Sequence, residues 1–368
     1  MDHAALIALR RALHRCPELA FQERETIRTL QAFLRARTSL KLVDREGWFY
    51  AVKEGKHPAA PPIAFRADMD ALPMDEGVAL PHASRHPGVS HKCGHDGHCA
   101  ALCALALALE ERPPDRTVLL LFQPAEEVGG GGALGAPLLS EQGAGEVYAF
   151  HSLSGYPEGQ VLYRRGLTQP ASEGLTIRLT GRASHASAPE EGRSPAETAA
   201  RLVLEARKLA ERPHRGMVLC TVTGIQVGTG DFGISPGEGA LRLTLRAEEE
   251  AELQALEQRL RQCAETLAAR SGLTVTFAVS DYFPETRNHD PCLDRVLAAA
   301  ETLDIPHAPM EALWRASEDF GWYTKRCPGA MFYLGSGINH PPLHTAEFDF
   351  NDRLLPVAAA LFHRLATG

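Results

Sequence analysis

Nothing in this 368-residue chain reads as a block of lysine and arginine, and acidic side chains outnumber basic ones by 46 to 38. The resulting charge of −8 repels a polyanion, so nucleic acid is not an expected partner. The chain also lacks an apolar run of about 18 residues, the length that a membrane-spanning helix needs. Its longest candidate, around ALCALALALE, is too short. At the N-terminus, MDHAALIALRRALHRC has the pattern of an amphipathic helix. It has no basic start, apolar centre or small-residue cleavage site, so it is not read as a signal peptide. A cytoplasmic protein without a membrane segment is expected. The eight cysteines (16, 93, 99, 103, 220, 263, 292 and 327) show no disulfide-framework spacing and read mostly as small buried hydrophobes. No second Cys/His pair lies at the roughly 12–20 residues from Cys93 that a zinc finger requires.

What is present is an alternation of two textures. Over 1–170, helical patterns at 2–15, 22–37 and 97–111 alternate with the apolar runs PPIAF, TVLLLF, EVYAF and QVLYR. Short runs bounded by Gly and Pro predict buried strands of an α/β sheet. Over 171–283 the order changes to strand (LTIRLTGRA), helix (SPAETAARLVLEARKLAERP), two strands (MVLCTVTGIQVG, ALRLTLRAE), helix (EEAELQALEQRLRQCAETLAAR) and strand (TVTFAVSDYF). That is β-α-β-β-α-β, a ferredoxin-like sandwich. Over 284–368 the first texture resumes, with helices near 291–303, 317–325 and 352–366 and a strand at AMFYL. The expected fold is α/β: a mixed central sheet flanked by helices, with the ferredoxin-like domain inserted into it.

The densest chemistry is HKCGHDGHCA at 91–100, with three histidines, two cysteines and an aspartate. Two G-x-G-x-x-G matches, at Gly130/Gly132/Gly135 and Gly228/Gly230/Gly233, do not sit directly between a strand end and a helix start, so neither reads as a dinucleotide site. The apolar run in FRADMDALP ends in Asp68 and Asp70, which share one face if the strand continues. An exposed acidic pair is the plainer reading of that segment. LLLFQPAEEVGGGG ends a strand in Glu126 and Glu127; adjacent glutamates are usually solvated, but these follow a buried run. EVYAFHSLSG places His151 at a third strand end, and LGSGINHPPLHTAEFDF carries His340 and His344 in a loop. Taken together, Cys93, His95, Glu127, His151 and His344 form a mixed N/O/S set suited to Zn²⁺, Mn²⁺ or Co²⁺. Five protein ligands exceed what one catalytic zinc takes, which points to two metal ions. Asp96 and His98 are assigned to supporting the turn into the following helix, and Cys99 to packing.

These segments resemble a known family. RRALHRCPELAFQERET, FRADMDALP, HKCGHDGH, LLFQPAEE with its glycine run, FHSLSG, GRASHASAPEEGRSP, ASEDFGWY and LHTAEFDFND match the metal-dependent amidohydrolases in the family's order. That group includes hippurate hydrolase, N-acetyl-amino-acid deacetylases and indole-acetyl-amino-acid hydrolases. It lies within the aminoacylase/carboxypeptidase metallopeptidase family. The resemblance implies that Cys93, His95, Glu127, His151 and His344 hold two divalent ions, Zn²⁺ or Mn²⁺, with Co²⁺ an option. It implies Glu126 as general base and acid, Asp70 as the carboxylate that steadies a ligand, and His185 as a lid histidine that polarises the scissile carbonyl. It further implies a homodimer, with the inserted domain as lid and dimerisation surface, and a small N-acyl amino acid or small peptide as substrate. Arg246 and Ser317 match substrate-binding positions. The departures are Asp68-Met69-Asp70 for the broader family's His-x-Asp, and Gly233 for the usual lid asparagine. A dipeptidase or exopeptidase of the same architecture, or a non-catalytic ligand-binding relative, is the alternative.

Overall fold

A computed structural model describes residues 2–368. The chain folds as two compact units, Met1–Thr168 with Thr286–Trp314 and Glu318–Gly368, and Gln169–Glu285 with Arg315–Ser317. The first unit opens with α1 (His3–Arg15), α2 (Arg24–Arg37), β1 (Lys41–Arg45), β2 (Trp48–Lys53), β3 (Ile63–Asp68) and α3 (His95–Glu111). It continues with β4 (Val118–Gln123), α4 (Gly131–Gly135), α5 (Pro137–Glu141), β5 (Glu146–Leu153), β6 (Val161–Tyr163) and β7 (Gly166–Gln169). The second unit holds β8 (Ala171–Thr180), β9 (Ser184–His185), α6 (Ala196–Ala210), β10 (Val218–Val227), β11 (Ile234–Ser235), β12 (Glu238–Ala247), α7 (Glu250–Arg270) and β13 (Thr274–Phe283). The chain returns through β14 (Thr286–Asn288), α8 (Asp290–Thr302), β15 (His307–Pro309), α9 (Gly321–Thr324), β16 (Gly329–Gly335) and α10 (Leu354–Thr367).

The main sheet has the order β1-β2-β4-β3-β5-β16-β6-β15 and is mixed: β4, β3, β5 and β16 run parallel, while β2 and β6 are antiparallel to their inner neighbours. Strands covered on both faces tolerate continuous apolar runs. Every residue of β3, β4 and β16 is accordingly buried. The helix α3 is apolar nearly all round, the composition of a helix inside a core, and is buried along most of its length. Winding reverses at β3, with β4 on one side and β5 on the other. In open α/β sheets such a reversal opens a crevice at the carboxyl ends of the strands.

Three details differ from the sequence reading. The β1/β2 hairpin was not anticipated; its turn uses Glu46-Gly47, with Gly47 at φ 77°. The helix expected from 97 begins at His95. The helix expected over 317–325 is only α9, because Glu318 uses its carboxylate to accept the Phe320 N–H, a local bond that competes with helix formation.

The second unit is a four-stranded antiparallel sheet, β10-β12-β8-β13. Its core combines Leu175, Ile177 and Leu179 of β8 and Leu241, Leu243 and Leu245 of β12 with apolar side chains of α6 and α7. The two-residue spacing of those leucines is the alternation of a sheet with one buried face. Among the described residues no helix is long and apolar enough to cross a membrane.

Candidate functional site

The first unit brings the candidate metal residues to the carboxyl ends of β3, β4 and β5. Cys93 lies in the loop before α3, His95 on that helix's first turn, His151 near the end of β5, and Glu126 and Glu127 in the loop after β4. His344 comes from the segment between β16 and α10, at the exposed mouth. Ala125 (φ 51°) and His344 (φ 60°) hold left-handed backbone, which costs a non-glycine residue about 1–3 kcal/mol. Strain of this kind is held in place by the surroundings. The Ala125 N–H is tied to Glu23 Oε1 at 2.7 Å, and the His344 N–H to the Lys92 carbonyl at 2.8 Å.

Contrary to the shared strand face expected for Asp68 and Asp70, β3 stops at Asp68 and the two diverge. The Asp70 carboxylate accepts the backbone N–H groups of Glu126 (3.0 Å) and Glu127 (2.9 Å), while its carbonyl oxygen faces His95 Nδ1 at 2.9 Å. Asp68 meets His98 Nδ1 at 2.7 Å, and His98 Nε2 accepts the Ser152 N–H at 3.2 Å. His98 therefore joins two strand ends rather than supporting the helix turn. Asp96 does support that turn through the Gly97 N–H, and it also binds His14 and Arg10 of α1.

The tautomers follow from these bonds. His95 donates from Nδ1 to the Asp70 carbonyl, and His151 donates from Nδ1 to the Ser152 carbonyl at 2.7 Å. Both rings are left with Nε2 turned inward, the orientation typical of a metal-ligating histidine. His95 Nε2 and Glu127 Oε1 are fully buried and have no hydrogen-bond partner among the described residues. Cys93 Sγ lies 3.3 Å from both His151 Nε2 and His344 Nε2, and His344 Nε2 lies 3.7 Å from Glu127 Oε2. Cys93, His95 and His151 form one set with donor atoms within 4.8 Å of one another, and Cys93, Glu127 and His344 form a second. Sulfur, carboxylate oxygen and imidazole nitrogen thus face one another at ligand distance, a set that fits divalent cations. The electrostatics favour positive charge at this point. Burial by itself lowers the pKa of His95, but Asp68, Asp70 and Glu127 overcome it and push it up to about 10, so in the metal-free protein Nε2 holds a proton where a bound cation would take its place. Burial raises Glu126, with Glu318 and Glu127 adding to the effect, and lowers His151.

Three expected residues lie in the second unit. His185 is exposed on β9, which pairs with β11 through Ile234. Its Nδ1 accepts the Ser187 N–H at 3.1 Å, so Nε2 carries the proton. Arg246 donates to Ser317 Oγ at 3.1 Å and to the Arg315 carbonyl, and Ser317 Oγ bonds Ser172 Oγ at 2.7 Å. No carboxylate pairs with Arg246 among the described residues. His340 contacts Ser154 Oγ and joins neither donor set. The sequence reading missed Arg66, Gln123, Glu318 and Asp319, a buried polar group beneath the site. The available signal was an arginine inside the apolar strand IAFRAD.

Comparison with known proteins agrees across nearly the whole length. The profile of Peptidase family M20/M25/M40 matches residues 64–368. The N-acetylcysteine deacetylase of Bacillus subtilis is 30% identical over 376 residues, covering 99% of this chain and 96% of its own. The N-acetyldiaminopimelate deacetylase of Exiguobacterium sibiricum is 31% identical, covering 94% and 95%. A crystal structure of a Bacillus subtilis dinuclear metal-binding peptidase superposes with a TM-score of 0.83 at 28% identity, covering 99% and 97%.

Proposed function

The chain belongs to Peptidase family M20/M25/M40, and from that premise we propose that it is a metal-dependent amidohydrolase releasing an acyl group from an N-acyl amino acid or a related small amide. It is a hydrolase of C–N bonds. The observation that carries the reading is the gathering of Cys93, His95, Glu127, His151 and His344 into overlapping ligand sets beside Glu126. Its relatives add that deacetylases of N-acyl amino acids align with it end to end.

Two divalent ions are the natural occupants of two donor sets that share one sulfur, and the mixed N/O/S ligands suit Zn²⁺, Mn²⁺ or Co²⁺. Bound there, such ions supply Lewis acidity and a hydroxide nucleophile at neutral pH. In this reading Glu126, whose Oε2 lies 3.9 Å from His95 Nε2, takes the proton of the attacking water and returns it to the departing amine. Asp70 holds both glutamates by their backbone and His95 by its ring, so base and ligands keep one relative position. His185 presents an N–H at Nε2, the donor that a developing oxyanion requires. Arg246, free of a carboxylate partner and held by Ser317, is assigned to the substrate's carboxylate. The second unit acts in this reading as lid and dimerisation surface of a homodimer. A cytoplasmic setting is supported by eight free cysteines.

The test is a hydrolysis panel of N-acetyl and N-benzoyl amino acids against free-amine dipeptides, with Zn²⁺, Mn²⁺ and Co²⁺ supplied separately. Cleavage of the N-acyl compounds is expected. Cleavage of dipeptides alone overturns the substrate class, and no hydrolysis by metal-loaded protein overturns the enzyme.

A further inference from the structure

Beneath the candidate metal centre lies one fully buried cation, Arg66, on the central strand β3. Its fork is used in every direction. Nε donates to Gln123 Oε1 at 2.8 Å, Nη1 to Asp68 Oδ2 at 2.7 Å, and Nη2 to Asp319 Oδ1 at 2.8 Å with Glu318 Oε1 at 3.0 Å. Each partner leads on to a different wall of the site. Through Asp68 the path runs to His98 and the Ser152 N–H, next to His151, and Asp68 Oδ2 also lies 3.6 Å from His95 Nε2. Through Asp319 it runs to the Gly132 N–H at 2.6 Å and to Gln123 Nε2 at 2.9 Å, which grips the glycine run after Glu126 and Glu127. The packing there leaves no slack. A Cβ at Gly132 would lie 2.5 Å from the Asp319 carbonyl oxygen, and one at Gly131 would lie 1.6 Å from the Pro124 carbonyl oxygen.

We propose that Arg66 is a positioning residue that fixes the loop of Glu126 and Glu127 against the histidine side of the metal centre by binding Asp68, Gln123, Glu318 and Asp319 at once. The geometry requires a guanidinium. Its planar fork holds several acceptors in fixed directions, whereas an ammonium is a single point charge on a flexible stem. Arg66 touches neither substrate nor metal in this role; it acts through the groups it binds. The proposal rests on the metal-centre reading above.

The experiment compares wild type with Arg66→Lys and Asp319→Asn. It measures Zn²⁺ affinity of the apo-proteins by competition with a chromophoric chelator, kcat and KM of the loaded enzymes on an N-acyl amino acid, and thermal unfolding. Groups that orient metal ligands typically change metal affinity or activity by about 10–100-fold. Arg66→Lys is expected to weaken Zn²⁺ binding and lower kcat within that range while KM stays within about twofold. Asp319→Asn, which weakens the bonds to Arg66, Gln123 and Gly132 but leaves the Arg66–Asp68 contact in place, is expected to lower kcat with a smaller loss of Zn²⁺ affinity. Wild-type kcat and affinity in both variants, with only a lowered Tm, would overturn the proposal. Should Arg66→Lys fail to fold, Asp319→Asn decides alone. Failure of the metal-centre reading is separately visible, because wild type itself would then bind no Zn²⁺.

Discussion

Adjacent glutamates separate into two roles through the bonds around them. Both lie near His95, but Glu127 also stands among the ligand atoms of Cys93 and His344, whereas Glu126 faces the buried carboxylates of Glu318 and Asp319. If Glu126 is the proton carrier, its charge matters to the rate and not to the holding of metal. Glu126→Gln is therefore expected to lower kcat by about 10²–10⁴-fold while metal content, read by elemental analysis after dialysis, stays at the wild-type level. An unchanged rate would remove Glu126 as the base.

At the scale of an element, the run Gly129–Gly132, which leads from the loop after β4 into the first turn of α4, is shaped by what lies against it. Gly131→Ala sets a methyl group into the Pro124 carbonyl and Gln123, so the loop that carries both glutamates has to move. Lower Tm and a fall of at least tenfold in kcat/KM are expected together. Gly143→Ala is the contrasting case. That glycine has φ 63° and open space around its Cβ position, so alanine there costs about 1–2 kcal/mol of backbone strain and leaves kcat/KM unchanged. Equal kinetic effects of the two substitutions would contradict the close approach at Gly131.

At the scale of the whole molecule, two long-range arrangements bear on behaviour. One is the buried histidine that joins α1, α3 and the segment before α10. His14 bonds Asp96 at 2.8 Å and Glu76 at 3.1 Å, with Asp349, Arg10, His82, His91 and Lys92 also around this cluster. Burial by itself lowers its pKa, but the carboxylates of Asp96 and Glu76 reverse this and raise it to about 9. A folded-state pKa above the ordinary value of 6.5 means stabilisation fully present below that value and lost as pH rises towards 9. Thermal unfolding scans are expected to show Tm falling across that window in wild type and a flatter profile in His14→Gln. The other arrangement is the assignment of His185 to the second unit. His185→Ala is expected to lower kcat without changing metal stoichiometry. If the proposed homodimer shares its site between subunits, mixed dimers of His185→Ala with Glu126→Gln are expected to regain part of the activity, and no recovery argues against sharing.

Much of this was legible before any coordinates. Apolar runs ending in Asp68, Gln123 and His151 marked where side chains collect, because strand ends are where an α/β sheet opens to ligands. The alternating apolar residues of LTIRLTGRA and ALRLTLRAE marked strands with one buried face, as β8 and β12 have. Four things needed the folded chain. Hydrogen bonds distinguished Asp70, which holds the glutamate loop, from Asp68, which faces Arg66. Hydrogen bonds at Nδ1 determined which nitrogen of His95 and His151 stays free. His98 was moved from turn support to a link between strands. Arg66 was invisible as a hub because its partner Asp319 lies 253 residues away in the chain. Local pattern records which side chains are suited to metal and which segments form strands; only packing decides which lone pair is left without a partner and what cation underpins it.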